Sequence, residues 1–357
     1  MTIAQEFKLS GVALPRDAAA MLGEICEHFV EHAEVHRRGD LALLKSKGGT
    51  AEVRIQDRKL LIELSCPSET ALQMSRKMLA EHLFYFAGED PLELAWSDPA
   101  SLAMLPNIHE ATVISAEDVT PHMRRVKFAC ADVTPFIGGD MHVRLLAPPK
   151  GRAPVWPGLR ADGRVAWPEG EDALLVRVYT IRTINVEKRE LWIDFLQHST
   201  PGIKTPGADF ARDAEPGQRV ALLGPGGGSL PAAQSILLAG DESALPAIAR
   251  IAEEVPAGAR LQAIIEVADE TEEQPLYSAG SLDVRWLHRR DYANGANGAN
   301  GVLLEEAKRA IAATEGETFI WFACEKEDVR AMRTYLKSRR HDRKSMYVAW
   351  YWEREAD

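Results

Sequence analysis

Cysteine is scarce in this chain of 357 residues: Cys26, Cys66, Cys130 and Cys324 are scattered and form no C-x-x-C pair. That excludes a disulfide framework and fits reduced thiols. Positive charge is in the minority, with 42 Lys and Arg against 53 Asp and Glu and a formal net charge of −11. Such a surface repels phosphate backbones, which argues against nucleic acid as the main partner. No apolar run approaches membrane-spanning length, and the start "MTIAQEFKLSGVALPRD" has no basic-then-apolar leader pattern. The expectation is a cytoplasmic protein with no membrane span. The glycine run in "LLGPGGGSL" (222–230) lacks the Lys that a phosphate-binding P-loop needs after its last glycine. Pro231 and a second apolar run follow instead of a helix, so the dinucleotide fingerprint is missing too. The stretch reads as a flexible connection between two strands, close to a cofactor without being a P-loop.

What is present is a soluble-type composition, 46% hydrophobic and 27% charged, long enough for two or three domains. In residues 1–100, "PRDAAAMLGEICEHFVEHAEVHRRG" has apolar residues at helical spacing (Ala19, Leu22, Ile25, Phe29, Ala33). Two alternating stretches, a second helix stopping at Gly88 and a short strand "ELAWSD" follow, which predicts a small α+β domain. A continuous first helix would place His28, His32 and His36 on one face; with no carboxylate fixed nearby they read as a solvated edge, not a metal site.

A boundary falls at "SDPASLAMLP" (97–106). Beyond it, short alternating strands with long turns predict an antiparallel Greek-key β-barrel over 105–229. From residue 230 strands alternate with helices, predicting an α/β Rossmann-like parallel sheet over 230–357. "NGANGANG" (294–301) reads as a surface loop without chemistry. A barrel followed by an α/β half is the arrangement of flavoprotein reductases. "RVYTIR" (177–182) supplies a cation for a pyrophosphate, an aromatic for the flavin and a small donor near its N5 atom.

"RVYTIR", "DFLQHS" (194–199), "AGDESALPAIARI" (239–251), "WLHR" (286–289) and the terminal "WYWER" together resemble the siderophore-interacting protein family, over about residues 107–355. Those are FAD-dependent ferric-siderophore reductases of the ferredoxin-reductase type. The resemblance implies that Arg177, Tyr179 and Thr180, completed by Arg182, form the flavin-binding strand and that His198 lies against FAD. Gly202, Lys204 and Thr205 stand in for the pyrophosphate-wrapping segment, which lacks the family's Trp. Asp241, Glu242 and Ser243 match the loop that meets the nicotinamide, NADPH or NADH. On the residues alone, Asp241 and Ser243 also suit N-capping of the next helix. Cys324 replaces the family's Gly and is expected to narrow the nicotinamide pocket. Trp350, Tyr351 and Trp352 would shield the flavin edge, or pack as an ordinary last strand.

For the substrate, a ferric siderophore, the resemblance offers Arg144 and Arg354, with Arg330 and Arg333 as further basic candidates that also suit a solvated helix face. Glu353 falls where the family has Arg. The chemistry is flavin-centred, so no catalytic side chain and no protein metal ligand is required. Two alternatives stand beside this reading: a siderophore-binding or iron-handling protein without flavin redox activity, and a general flavin or quinone reductase. The first domain resembles a small uncharacterised α+β family, with "HLFYFAGEDPLELAW" (82–96) as its signature.

Overall fold

The structure, a computed structural model, describes residues 6–31, 33–99, 104–197, 205–292, 301–314 and 317–354. The chain packs as two compact units, one of residues 1–108 with 148–174, the other of 109–147 with 175–357.

In the first unit β1 (Phe7–Leu14) is followed by α1 (Ala18–His28), β2 (Glu34–Arg38), β3 (Leu41–Ser46), β4 (Gly49–Gln56), β5 (Lys59–Cys66), α2 (Glu69–Ala87) and β6 (Glu93–Trp96). The strands form one antiparallel sheet in the order β2-β3-β4-β5-β1-β6. Alternation along β5 buries Leu60, Ile62, Leu64 and Cys66, and one core joins them to Met21, Leu22 and Ile25 of α1 and Leu72, Leu79 and Leu83 of α2. Asp17 caps α1 through two backbone amides, and Ser68 caps α2.

The helical periodicity read through Ala33 ends earlier. The α-helix stops at His28, and Glu34–Arg38 instead pairs with β3, Val35 opposite Leu44 and His36 opposite Leu43. The supposed helical ladder of histidines is therefore corrected: His28 closes a helix, His36 sits on a strand beside Glu34 at 2.8 Å, and His32 lies outside the described residues. Strand pairing outweighs local periodicity here.

The second unit begins with β7 (Ile108–Thr120), β8 (Met123–Cys130) and β9 (His142–Ala147). The chain then leaves for an excursion carrying β10 (Gly158–Leu159) and β11 (Val165–Ala166), which belongs to the first unit. It returns as β12 (Leu175–Asn185), β13 (Glu190–Leu196), α3 (Pro206–Arg212) and β14 (Arg219–Leu223). These strands close a six-stranded barrel, β12-β13-β8-β7-β14-β9, filled by Val126, Phe128, Phe136, Leu145, Ile181, Ile193, Phe195 and Leu222 among others.

A parallel sheet completes this unit. It is built from β15 (Ser235–Gly240), α4 (Leu245–Glu254), β16 (Arg260–Val267), β17 (Ser281–His288), α5 (Arg289–Tyr292), α6 (Val302–Ala313), β18 (Phe319–Glu325), α7 (Lys326–Ser338) and β19 (Met346–Trp352). The strand order is β17-β16-β15-β18-β19. The order reverses between β15 and β18, and in open α/β sheets the carboxyl ends at such a switch point are where ligands bind. α4 covers one face of the sheet, α6 and α7 the other. The fold class expected from the sequence holds: α+β domain, antiparallel barrel, parallel sheet.

Candidate functional site

The stretch "RVYTIR", expected from the sequence to meet a flavin, lies on β12. Pairing with β9 sets Thr180 opposite His142 and Val178 opposite Arg144. Tyr179 and Ile181 face the barrel core. The Tyr179 ring packs 4.3 Å from Phe195, and its hydroxyl abuts Gly207, where an added Cβ would fall 1.7 Å away. Only glycine permits that approach, so the first turn of α3, entered from Thr205, sits directly on the motif. Burial pushes the Tyr179 phenol up to about 12. Arg177 is exposed and donates to the carbonyl of Val176 at 2.8 Å; among the described residues it faces no carboxylate. It is the cation of the motif left available to an anionic group, and it fits a pyrophosphate.

Thr180 is buried and pairs through Oγ1 with His142 Nδ1 at 3.2 Å. On the other side of that ring, Nε2 meets the hydroxyls of Tyr351 at 3.0 Å and Tyr347 at 3.2 Å, both on β19. A hydrogen-bonded chain thus runs from the flavin strand through His142 to the last strand of the sheet. Desolvation pushes the His142 pKa down to about 4, so the ring is neutral near pH 7. The glycine run clasps the same histidine: Gly226 N donates to His142 O at 2.8 Å, and an added Cβ on Gly228 would fall 2.3 Å from Nε2.

Arg182 takes a different part from the one implied by the motif. Its guanidinium forms a bidentate pair with Glu253 of α4, both bonds 2.7 Å. Buried Arg250, also on α4, donates to the carbonyls of Ile181 and Phe136 at 3.0 Å each. "RVYTIR" and "AIARI" therefore meet as a latch between barrel and sheet. A second latch is buried Glu272, which accepts from Thr120 Oγ1, His122 N and His122 Nδ1.

At the carboxyl end of the sheet, Gly240 ends β15 where a Cβ would meet Ala323 O at 2.7 Å and Ala244 Cβ at 2.5 Å. Asp241 is buried and organises the following turn: Oδ1 accepts from Ser243 N and Oγ, and Oδ2 accepts from Trp352 Nε1 at 2.6 Å. Burial raises its pKa against those bonds. Ser243 does not cap α4; the N-cap is Ala244, without a side-chain bond. Glu242 is held by Arg289, which also donates to Glu266 at 3.2 Å. Cys324 is a core residue, packed beneath α6 and α7 with Val329, Met332 and Val348. Its sulfur fills that layer, which corrects the expectation that it narrows the nicotinamide pocket.

The tail presents Trp350 and Trp352, 52% and 37% exposed, beside cations. Lys326 lies 5.8 Å from the Trp350 ring and pairs with Glu353, and Arg354 lies 5.8 Å from the Trp352 ring. Tyr351 is turned inward to His142. Arg144 is exposed on β9, Arg330 pairs with Glu327 one turn back, and Arg333 donates to Val348 O and ties α7 to β19. His198, Gly202 and Lys204 lie outside the described residues. The sequence reading missed His142 and Lys326; His142 stands in "DMHVRLLAPP", and its only signal is the register that sets it opposite Thr180.

Three family profiles match the chain. Residues 112–229 match the siderophore-interacting FAD-binding domain, 233–355 the siderophore-interacting protein profile, and 11–97 an uncharacterised protein family conserved in bacteria. The ferric vibriobactin reductase ViuB of Vibrio cholerae is 31% identical over 216 residues, 60% of this chain and 76% of that protein. The crystal structure of a siderophore utilization protein from T. fusca is 31% identical, with a TM-score of 0.54 over 70% of this chain and 94% of that one. The ferredoxin reductase in carbazole 1,9a-dioxygenase shares the fold, with a TM-score of 0.52 at 16% identity over 73% of this chain and 74% of that one. The matched FAD-binding domain makes FAD the cofactor of the barrel. With both halves matched in order and relatives 31% identical over most of their length, the chain belongs to the siderophore-interacting protein family.

Proposed function

We propose that the chain is a cytoplasmic ferric-siderophore reductase that takes electrons from NADPH or NADH through FAD and releases Fe(II). The observation that carries this reading is Arg177, a cation that faces no carboxylate among the described residues, on the same strand as the Tyr179–Thr180 pair with Val178 between. When bound, the flavin supplies the conversion of a two-electron hydride donor into two one-electron deliveries. The protein residues bind and position. Arg177 holds the pyrophosphate and Thr180 offers its hydroxyl, fixed from behind by neutral His142. Trp350 and Trp352 exclude water, and Lys326 and Arg354 draw an anionic ferric complex toward the tail. Each electron converts one Fe(III), bound by hard oxygen donors, to Fe(II), which such donors hold less tightly. The test is NAD(P)H-driven appearance of Fe(II), trapped by a chelator, from ferric siderophores of catecholate and hydroxamate type. Turnover that needs both FAD and Arg177 supports the proposal; iron reduction indifferent to either refutes it.

A siderophore-binding protein without flavin redox activity is the second reading, favoured by the Trp352–Asp241 bond across the carboxyl end of β15. It requires tight ferric-siderophore binding with no bleaching of any flavin by NAD(P)H.

A further inference from the structure

The signature of the first domain, "HLFYFAGEDPLELAW", finds its use within the first unit. The excursion that links β9 to the flavin strand β12 folds into a small hairpin, with Gly158 opposite Ala166 and Leu159 opposite Val165. Its tip is closed by Arg160 N to Arg164 O at 2.8 Å and Gly163 N to Arg160 O at 2.9 Å. Side chains of α2 and β6 grip that tip. Arg76, buried on α2, donates to Ala161 O at 2.8 Å, and Trp96, the last residue of β6, donates through Nε1 to Asp162 O at 2.8 Å. Glu81 accepts from Val165 N at 2.7 Å. The Arg164 guanidinium, steadied by Asp162, stacks 3.6 Å over Phe84.

Gly163 has a φ of +91°, and an added Cβ would meet Trp96 Nε1 at 3.1 Å, Ala80 Cβ at 3.2 Å and Arg76 Cγ at 3.3 Å. Conformation and space both call for glycine there. A guanidinium buried on a helix is costly for a sheet domain that needs only an apolar core. Trp and Arg gripping backbone carbonyls are instead the anchors of a recognition surface. Long loops with so little secondary structure are uncommon in compact domains unless they are held or functional.

We propose that the α2–β6 face is a docking surface for the β10–β11 hairpin, and that the first domain is a docking module that holds this excursion of the chain between β9 and β12. The partner is committed: the Gly158–Ala166 hairpin, supplied in this chain by the excursion between β9 and β12. The inference does not rest on the electron-transfer reading. The test uses the full chain with a protease site introduced at residue 101, cleaved after folding and run on a sizing column. The fragments are expected to co-elute. Trp96→Ala and Gly163→Val are each expected to cut the retained fraction at least tenfold. Gly163→Val leaves the first fragment's sequence intact, so its release with unchanged circular dichroism separates lost docking from lost folding. Fragments that part in the unaltered sequence, or that stay joined in both variants, overturn the proposal.

Discussion

His142 is the residue on which most of the site turns. It is neutral because burial pushes its pKa from 6.5 down to about 4, with Arg250 pushing the same way and Asp140 opposing. The unfolded chain binds this proton first, so the stability contributed is complete above pH 6.5 and is lost as pH falls toward 4. The full loss is on the order of 3 kcal/mol. The melting temperature should therefore fall across that window, and His142→Asn should flatten the fall; an unchanged slope contradicts the assignment. In the proposed reading, Arg177 acts on the ligand instead of the fold. Arg177→Ala should weaken FAD binding about tenfold to a hundredfold, as expected for a lost charge-assisted contact, and leave the melting temperature of flavin-free protein unchanged. Flavin fluorescence titration reads it. Arg177 and Thr180 were legible as a strand motif. His142 was not, because its partners arrive from β12 and β19 through pairing and packing that no local spacing encodes.

Between elements, the account rests on the latches that join barrel and sheet. Arg250→Met leaves two buried carbonyls without donors and Glu254 without its partner. Urea unfolding should show a loss of about 3 kcal/mol; a loss below about 1 kcal/mol contradicts a latch. The glycine run separates two roles in the same way. Gly226→Ala meets nothing within 4 Å and should be near neutral, whereas Gly228→Ala enters the left-handed region against His142 and should cost about 1–2 kcal/mol. Retention of FAD by both variants fits a domain connection, and loss of flavin with an intact fold contradicts it. The order of strands and helices in the sheet was readable from alternating periods. The early end of α1 was not, since Val35 and His36 are claimed by β3, and neither was the hairpin hidden in a Pro- and Gly-rich run.

Across the whole molecule the net charge of −11 works against an anionic substrate. Lys326 and Arg354 beside the terminal tryptophans offset it locally. Replacing both by Glu should lower kcat/KM for an anionic ferric siderophore several-fold, mostly through KM, with a smaller effect at high salt. Equal rates at low salt would place the substrate elsewhere. The path of electrons from nicotinamide through flavin to iron is read by an anaerobic visible spectrum. FAD is added to the purified chain, then NADPH or NADH, then a ferric siderophore. The expected result is a bound-flavin spectrum that bleaches with the nicotinamide and returns when the ferric complex is added. A chain that takes up no flavin, or whose flavin NAD(P)H leaves oxidised, contradicts it.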